Sequence, residues 1–188
     1  EINGEVFDAV ILAVAPYHVD ALLPEDTPDY IQTAYQSLHY HAITTVYLRY
    51  AQTVKLPAPL TGLDDGTAQW VLHRGALGLP DNEVAVVISV SDYTEARKDK
   101  DLAEKIHADI KRVCPDLDKP EAVRIITEKR ATTAATVDFV QPDFSWLHHR
   151  RIYPAGDYLH PRYPATLEAA VQSGFAAAEK LMLDLRVE

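Results

Sequence analysis

Val6 to Val14 (VFDAVILAV) is an almost unbroken apolar run closed by Ala15 and Pro16. An apolar run without alternation is the pattern of a strand covered on both faces, as in a parallel α/β sheet. Such a strand needs neighbours, and the elements that follow are not alternating β and α units, so its partners are expected outside this chain. Pro-punctuated turns and a short helical stretch occupy Tyr17 to Leu38. Ala42 to Tyr50 (AITTVYLRY) is then rich in β-branched and aromatic residues and predicts a strand. Gln69 to Arg74 and Val84 to Ser91 predict two more, separated by the turn formers Gly75, Gly78, Pro80, Asp81 and Asn82.

Asp99 to Val113 carries Leu102, Ile106, Ile110 and Val113 as a helical stripe with charged residues between, and Pro115 ends it. Ala122 to Arg130 and Thr133 to Val140 return to strand composition. Mostly consecutive strands with one helix predict a mixed, largely antiparallel sheet flanked by that helix. The last segment differs. Ile152 to Asp157 predicts a short strand and turn, followed by a long helix with Leu167, Val171, Gly174, Ala178, Leu181 and Leu185 at helical spacing. Its many small residues (Ala169, Ala170, Ser173, Gly174, Ala176, Ala177, Ala178) allow close approach to a sheet or a ligand.

Composition adds limits. With 188 residues, 47% hydrophobic and 24% charged, the chain has the make-up of a packed globular protein and the length to bury a core. A net charge of -10 argues against a nucleic-acid partner, and the short basic run His148 to Arg151 reads as a solvated loop. The single cysteine, Cys114, excludes an internal disulfide, fits a reducing compartment and reads as a structural thiol. No apolar run approaches the roughly 20 residues needed to span a bilayer. The start at Glu1, directly before an apolar run, is what a piece of a longer polypeptide would show, and a processed native terminus would look the same.

Chemistry concentrates near the C-terminus. Ala155-Gly156-Asp157-Tyr158, then Tyr163-Pro164-Ala165-Thr166-Leu167-Glu168-Ala169-Ala170 and Ser173-Gly174, combine a strand end, a glycine turn, an acidic residue and a helix N-terminus. Gly156 permits close backbone approach, and Asp157 can accept hydrogen bonds from sugar-like hydroxyls. Amides around Ala165 to Leu167 carry the positive end of the helix dipole, which suits an electron-rich ring. The same residues also make an ordinary strand, turn and helix with a proline near its first turn.

The spacing across residues 153–183 resembles the C-terminal flavin segment of the amine oxidase and phytoene desaturase superfamily. The Val6 to Pro16 run resembles another shared element, the strand of the FAD domain that precedes the crossing into the substrate domain. Ile43-Thr44-Thr45-Val46-Tyr47-Leu48, Ala68-Gln69-Trp70-Val71, Arg74-Gly75 and Tyr163 to Glu168 are similar to the squalene-associated FAD-dependent desaturases, the hydroxysqualene dehydroxylases.

The resemblance implies an α/β (α+β) architecture in three segments. Residues 1–16 would be a strand of the FAD-binding domain, 17–145 the substrate-binding domain, and 146–188 the C-terminal FAD-binding strand, turn and helix. It implies FAD as cofactor, with Gly156 and Asp157 near its ribityl and phosphate part, the backbone from Ala165 to Leu167 (Ala165, Thr166, Leu167) near the pyrimidine edge of the ring, and Pro164 as a further cofactor-binding residue. It also implies an apolar isoprenoid substrate, with Tyr47, Trp70 and Leu72 as candidate pocket walls, and hydroxysqualene reduction to squalene in hopanoid biosynthesis. Core packing is the other role open to those three. The superfamily's Gly-rich pyrophosphate turn is absent from these residues, so the expected partner is a missing N-terminal FAD-binding half of the same polypeptide. This chain alone is then expected to retain little FAD and to be inactive. A cytoplasmic location is expected, and so apolar a substrate adds peripheral contact at the inner membrane face to that expectation, although no basic amphipathic helix is present.

Other readings carry less. His39 and His41 share one side of a strand without further ligands at a recognised spacing, so no metal site is expected. No nucleophile motif surrounds Ser91, Ser145 or Ser173. Tyr93 reads as a core or pocket-wall residue, and no catalytic acid is assigned. A carotenoid (phytoene) desaturase or a flavin amine oxidase would keep the flavin segment and change the pocket. A free-standing, non-enzymatic α/β binding module is the remaining alternative.

Overall fold

Strict alternation along Tyr40–Arg49 organises the larger sheet. In the computed structural model, which describes residues 3–92, 99–136, 142–160 and 162–186, this strand (β2) buries Ala42, Thr44, Val46 and Leu48. β5 (Glu83–Ile88) runs antiparallel to it, with Val86 opposite Val46. β4 (Trp70–His73) runs antiparallel to β5, and β3 (Leu60–Gly62) antiparallel to β4. β6 (Ala122–Thr133) takes the far side of β2, giving the order β3-β4-β5-β2-β6. Glu121 N–H donates to the Arg49 carbonyl at 2.8 Å and Ala134 N–H to the His39 carbonyl at 2.8 Å. The start of β6 therefore meets the end of β2, and this pair too is antiparallel.

The helix α3 (Leu102–Lys111) turns Leu102, Ile106 and Ile110 onto Val46, Leu48, Val71, Val84, Val86 and Ile88 to form one core. The helical stripe of the sequence is thus the face that packs, with Val113 partly buried at its end. Asp109 on the same helix accepts the Thr67 and Ala68 N–H groups at 2.7 and 2.9 Å. Gly66, at φ +107°, passes so close that a Cβ would lie 2.3 Å from Asp109 Oδ1. Cys114 is buried and donates its thiol to the Lys55 carbonyl at 2.9 Å, and burial pushes that thiol up from its ordinary value.

In the other unit, β1 (Val10–Leu12) and β7 (Ile152–Pro154) pair in parallel, Val10 opposite Ile152. Around them lie α1 (Pro16–Val19), α2 (Asp29–Gln36), α4 (Ser145–His149) and α5 (Leu167–Arg186). Leu12, Val19, Ile31, Tyr35, Phe144, Leu147 and Tyr158 form its main core.

Several expectations change. The nine-residue strand over Val6 to Val14 shortens to three, because its described strand partner, β7, is itself three residues long; Val6 is left 85% exposed. That partner also comes from within the chain. A second strand from Thr133 does not form over 134–136, while 137–140 lie outside the described residues, as does Tyr93. β3 was not foreseen; three residues after a Pro-rich stretch carry no periodic signal. Compactness groups Glu1–His39 with Thr133–Glu188, and Tyr40–Thr132 separately, because Val19, Ile31 and Tyr35 share a core with Leu147 and Tyr158.

Ile106→Ala removes a fully buried side chain from the centre of the sheet–helix core. Chemical denaturation should show a loss of about 2–5 kcal/mol for the Tyr40–Thr132 unit, whereas Lys111→Ala on the exposed side should cost little.

Candidate functional site

β7 ends at Pro154, and Ala155 and Gly156 lead into a 3-10 turn over Asp157–Leu159. Gly156 is extended (φ 169°, ψ 162°), so conformation alone does not call for glycine. Space does. A Cβ would lie 2.3 Å from Cε1 of Tyr158, whose ring fills that position and meets Tyr35 edge-on at 6.0 Å. Burial pushes the Tyr35 hydroxyl up to about 12. The Gly156 N–H donates to Ser173 Oγ on α5 at 2.9 Å. The close approach that Gly156 permits is therefore used by Tyr158 and α5.

Asp157 accepts the Ala165 N–H on its backbone carbonyl at 3.2 Å, folding the segment into one turn. Its half-buried carboxylate has no hydrogen-bond or ion-pair partner among the described residues. Ala165 sits at φ +59°, a left-handed conformation that a residue with a Cβ seldom adopts and that clusters at functional sites. Thr166 caps α5: its Oγ1 accepts the Ala169 N–H at 3.1 Å and donates to the Tyr163 carbonyl at 2.8 Å. The first backbone bond of the helix runs from Ala170 N–H to the Thr166 carbonyl at 3.1 Å, so the N–H groups of Thr166, Leu167 and Glu168 have no intrahelical partner. Pro164, exposed, contributes no N–H.

The burial of α5 splits its expected stripe: Gly174, Ala178 and Leu181 are half-buried, whereas Leu167, Val171 and Leu185 are exposed. Ala169 and Ala177 are buried, with Ala177 against Tyr153 and Ala155, and Ser173 and Gly174 are half-buried. Leu167 is 89% exposed and Phe175 68%, with Val171, Met182 and Leu183 also open. Small residues face inward because the helix lies close to β7. The Tyr153 hydroxyl donates to Asp184 Oδ2 at 2.9 Å, and Lys180 pairs with the same carboxylate. Lys180, and then Tyr153, hold the Asp184 carboxyl below its ordinary value.

The geometry brings Gly156, Asp157, Ala165, Thr166 and Leu167 into one turn and one helix start. Free amides at the positive end of a 20-residue helix and an unpartnered carboxylate in the adjoining turn fit one edge of an electron-rich ring with a hydroxylated chain. No Gly-rich strand–turn–helix for a pyrophosphate accompanies them among the described residues. Sequence reasoning placed Tyr158 and Ser173 within this segment but assigned them neither the space at Gly156 nor its N–H. Tyr158 follows a glycine by two residues, a weak signal; nothing in the sequence marks Ser173 as a partner of Gly156.

In the larger sheet, Tyr47 and Leu72 flank Ala85 in one row, and Trp70 lies in the next row beside Val87 and Thr45. Alternation puts all three candidate pocket residues on the face opposite α3, where Trp70 is 47% exposed. His41 Nδ1 lies 3.2 Å from Asp92 Oδ2, and no cluster of three or more metal-ligating side chains occurs among the described residues.

The sequence profile of the flavin containing amine oxidoreductase family matches residues 2–182. The chain belongs to that family. It is similar to the hydroxysqualene dehydroxylase of Zymomonas mobilis subsp. mobilis, 30% identical over 183 residues, covering 92% of this chain and 38% of that protein. The hydroxysqualene dehydroxylase of Rhodopseudomonas palustris is 32% identical over 180 residues, covering 93% and 38%. The chain therefore spans 38% of the length of these curated relatives. A solved structure assigned as a protoporphyrinogen oxidase from Exiguobacterium sp. 255-15 superposes with a TM-score of 0.67 at 18% identity, over 95% of this chain and 41% of that one. At that identity the likeness is one of fold, and it agrees with the mixed α/β architecture read from the sequence. Flavin is the family's cofactor.

Gly156→Ala should destabilise the unit containing α5 by about 1–3 kcal/mol even without flavin, through overpacking against Tyr158. Adding Tyr158→Leu should return part of that loss. Thermal melts of the single and double variants measure the coupling.

Proposed function

We propose that this chain is the C-terminal part of an FAD-dependent oxidoreductase that removes the hydroxyl of hydroxysqualene to give squalene, a step of hopanoid biosynthesis. The observation that carries this reading is the 30% and 32% identity to two hydroxysqualene dehydroxylases across more than nine-tenths of the chain. FAD, when bound, supplies the redox chemistry. The free amides of Thr166, Leu167 and Glu168 would polarise and orient the pyrimidine edge, Pro164 and Ala165 would shape the approach, and Asp157, with Gly156 beside it, would accept a hydroxyl from the cofactor's sugar-like chain. On the larger sheet, Tyr47, Trp70 and Leu72 would take an apolar isoprenoid and exclude water.

The remaining wall would come from the rest of the parent polypeptide, which would cover the open Leu167, Val171, Phe175 and Met182 side of α5. This chain alone would then hold FAD poorly and turn nothing over. An apolar substrate favours peripheral contact with the cytoplasmic membrane face; no helix among the described residues is long and apolar enough to cross a membrane. The match across residues 2–182 favours this reading over a free-standing binding module.

The test is purification of the longer polypeptide and assay on hydroxysqualene, phytoene and amines. Flavin absorbance with squalene formed from hydroxysqualene is the expected result, and the 188-residue chain should show neither. Flavin retention with turnover only of phytoene or an amine would overturn the substrate; absence of flavin from the longer protein would overturn the whole reading.

A further inference from the structure

The sheet face opposite α3 is not uniformly apolar. Thr45, Val87 and Trp70 form one row across it, and Tyr47, Ala85 and Leu72 the next. β6 extends these rows. Thr127 Oγ1 lies 2.9 Å from Thr44 Oγ1 on the buried side of β2, so alternation turns Arg124 and Ile126 to the open side. Beyond Tyr47 the lining changes character. Arg49, Arg74 and Arg124 surround a cleft of about 530 Å³ whose walls also include Tyr47, Ile126 and Glu83.

The charges there do not balance. Arg74 pairs with Glu83 and stands over the Tyr47 ring at 5.3 Å, which fixes one guanidinium at the apolar edge. Arg49 and Arg124 are exposed and have no ion-pair partner among the described residues. Three guanidinium groups thus face one carboxylate, in a chain whose formal net charge is -10. Guanidinium groups offer paired donors that match phosphate oxygens, and a cationic end beside an apolar row suits a molecule with one anionic end and one apolar body.

We propose that this cleft binds the phosphate end of an anionic amphiphile. Arg49 and Arg124 engage the headgroup, Arg74 holds the Tyr47 ring in place, and Tyr47 and Ile126 take the first carbons of the chain. Two sources share this chemistry, a soluble alkyl or prenyl phosphate and the headgroup of an anionic membrane lipid. The site lies wholly within Tyr40–Thr132 and does not rest on the flavin reading, so its failure would leave that reading untouched.

Hexyl phosphate, inorganic phosphate and vesicles with or without phosphatidylglycerol are the probes, titrated against this chain by calorimetry and by the fluorescence of Trp70 and Trp146. Hexyl phosphate should bind more tightly than inorganic phosphate. Arg49→Gln and Arg124→Gln should each weaken it roughly tenfold with unchanged melting temperature, and Arg112→Gln, whose side chain pairs with Asp65, should not. Retention on phosphatidylglycerol vesicles that hexyl phosphate competes away would assign the headgroup source; hexyl phosphate binding without vesicle retention would assign the soluble one. Equal binding by the Arg49 and Arg124 variants, or no preference for hexyl over inorganic phosphate, would overturn the proposal.

Discussion

Ala169, Ser173 and Ala177 are the residues α5 turns inward, and their lack of bulk lets the helix backbone lie close against Tyr153, Ala155 and Gly156. The candidate flavin edge depends on that approach. It lets Ser173 reach the Gly156 N–H and sets the helix start beside the turn that carries Asp157. With larger inward residues, the helix would stand further from β7 and its start would no longer sit beside the turn that carries Asp157. Tyr158 closes the arrangement by occupying the space where Gly156 has no Cβ.

The same choice of small inward residues pushes the large ones out. Leu167, Val171, Phe175 and Met182 recur along the exposed side of α5, and covering each would contribute roughly 1.5–3 kcal/mol. An open stripe of that kind is the sort of surface that interaction partners cover. In the larger sheet the division is different: α3 fills one face with Leu102, Ile106 and Ile110, while the other face keeps Tyr47, Leu72 and Trp70 in two adjacent rows. One face supplies stability and the other stays partly open, with Trp70 47% exposed.

Much of this was legible. Period-two alternation in Ala42 to Tyr50 and the stripe Leu102, Ile106, Ile110 each identify the buried face directly, because burial itself sets those periods. The turn and helix start at Gly156 to Leu167 were legible as a pattern, but not the use of the glycine, since the ring that fills its space belongs to a core formed by Tyr35 and Phe144. The stripe on α5 held only in part, because apolar spacing does not say which residues pack: Gly174, Ala178 and Leu181 are partly buried, while Leu167 and Val171 are open and Ala169 and Ala177 are buried instead. β1 was overextended because an apolar run sets no length, whereas its three-residue partner does.

Amide hydrogen exchange over Asp157 to Glu168 in the longer polypeptide, with and without FAD, tests most directly whether this turn and helix start form one wall of a flavin site. Slower exchange at Thr166, Leu167 and Glu168 when FAD is bound is the result expected, because those N–H groups would then be covered by the ring. Exchange unchanged by FAD at all three, in a protein that demonstrably holds the cofactor, would contradict it.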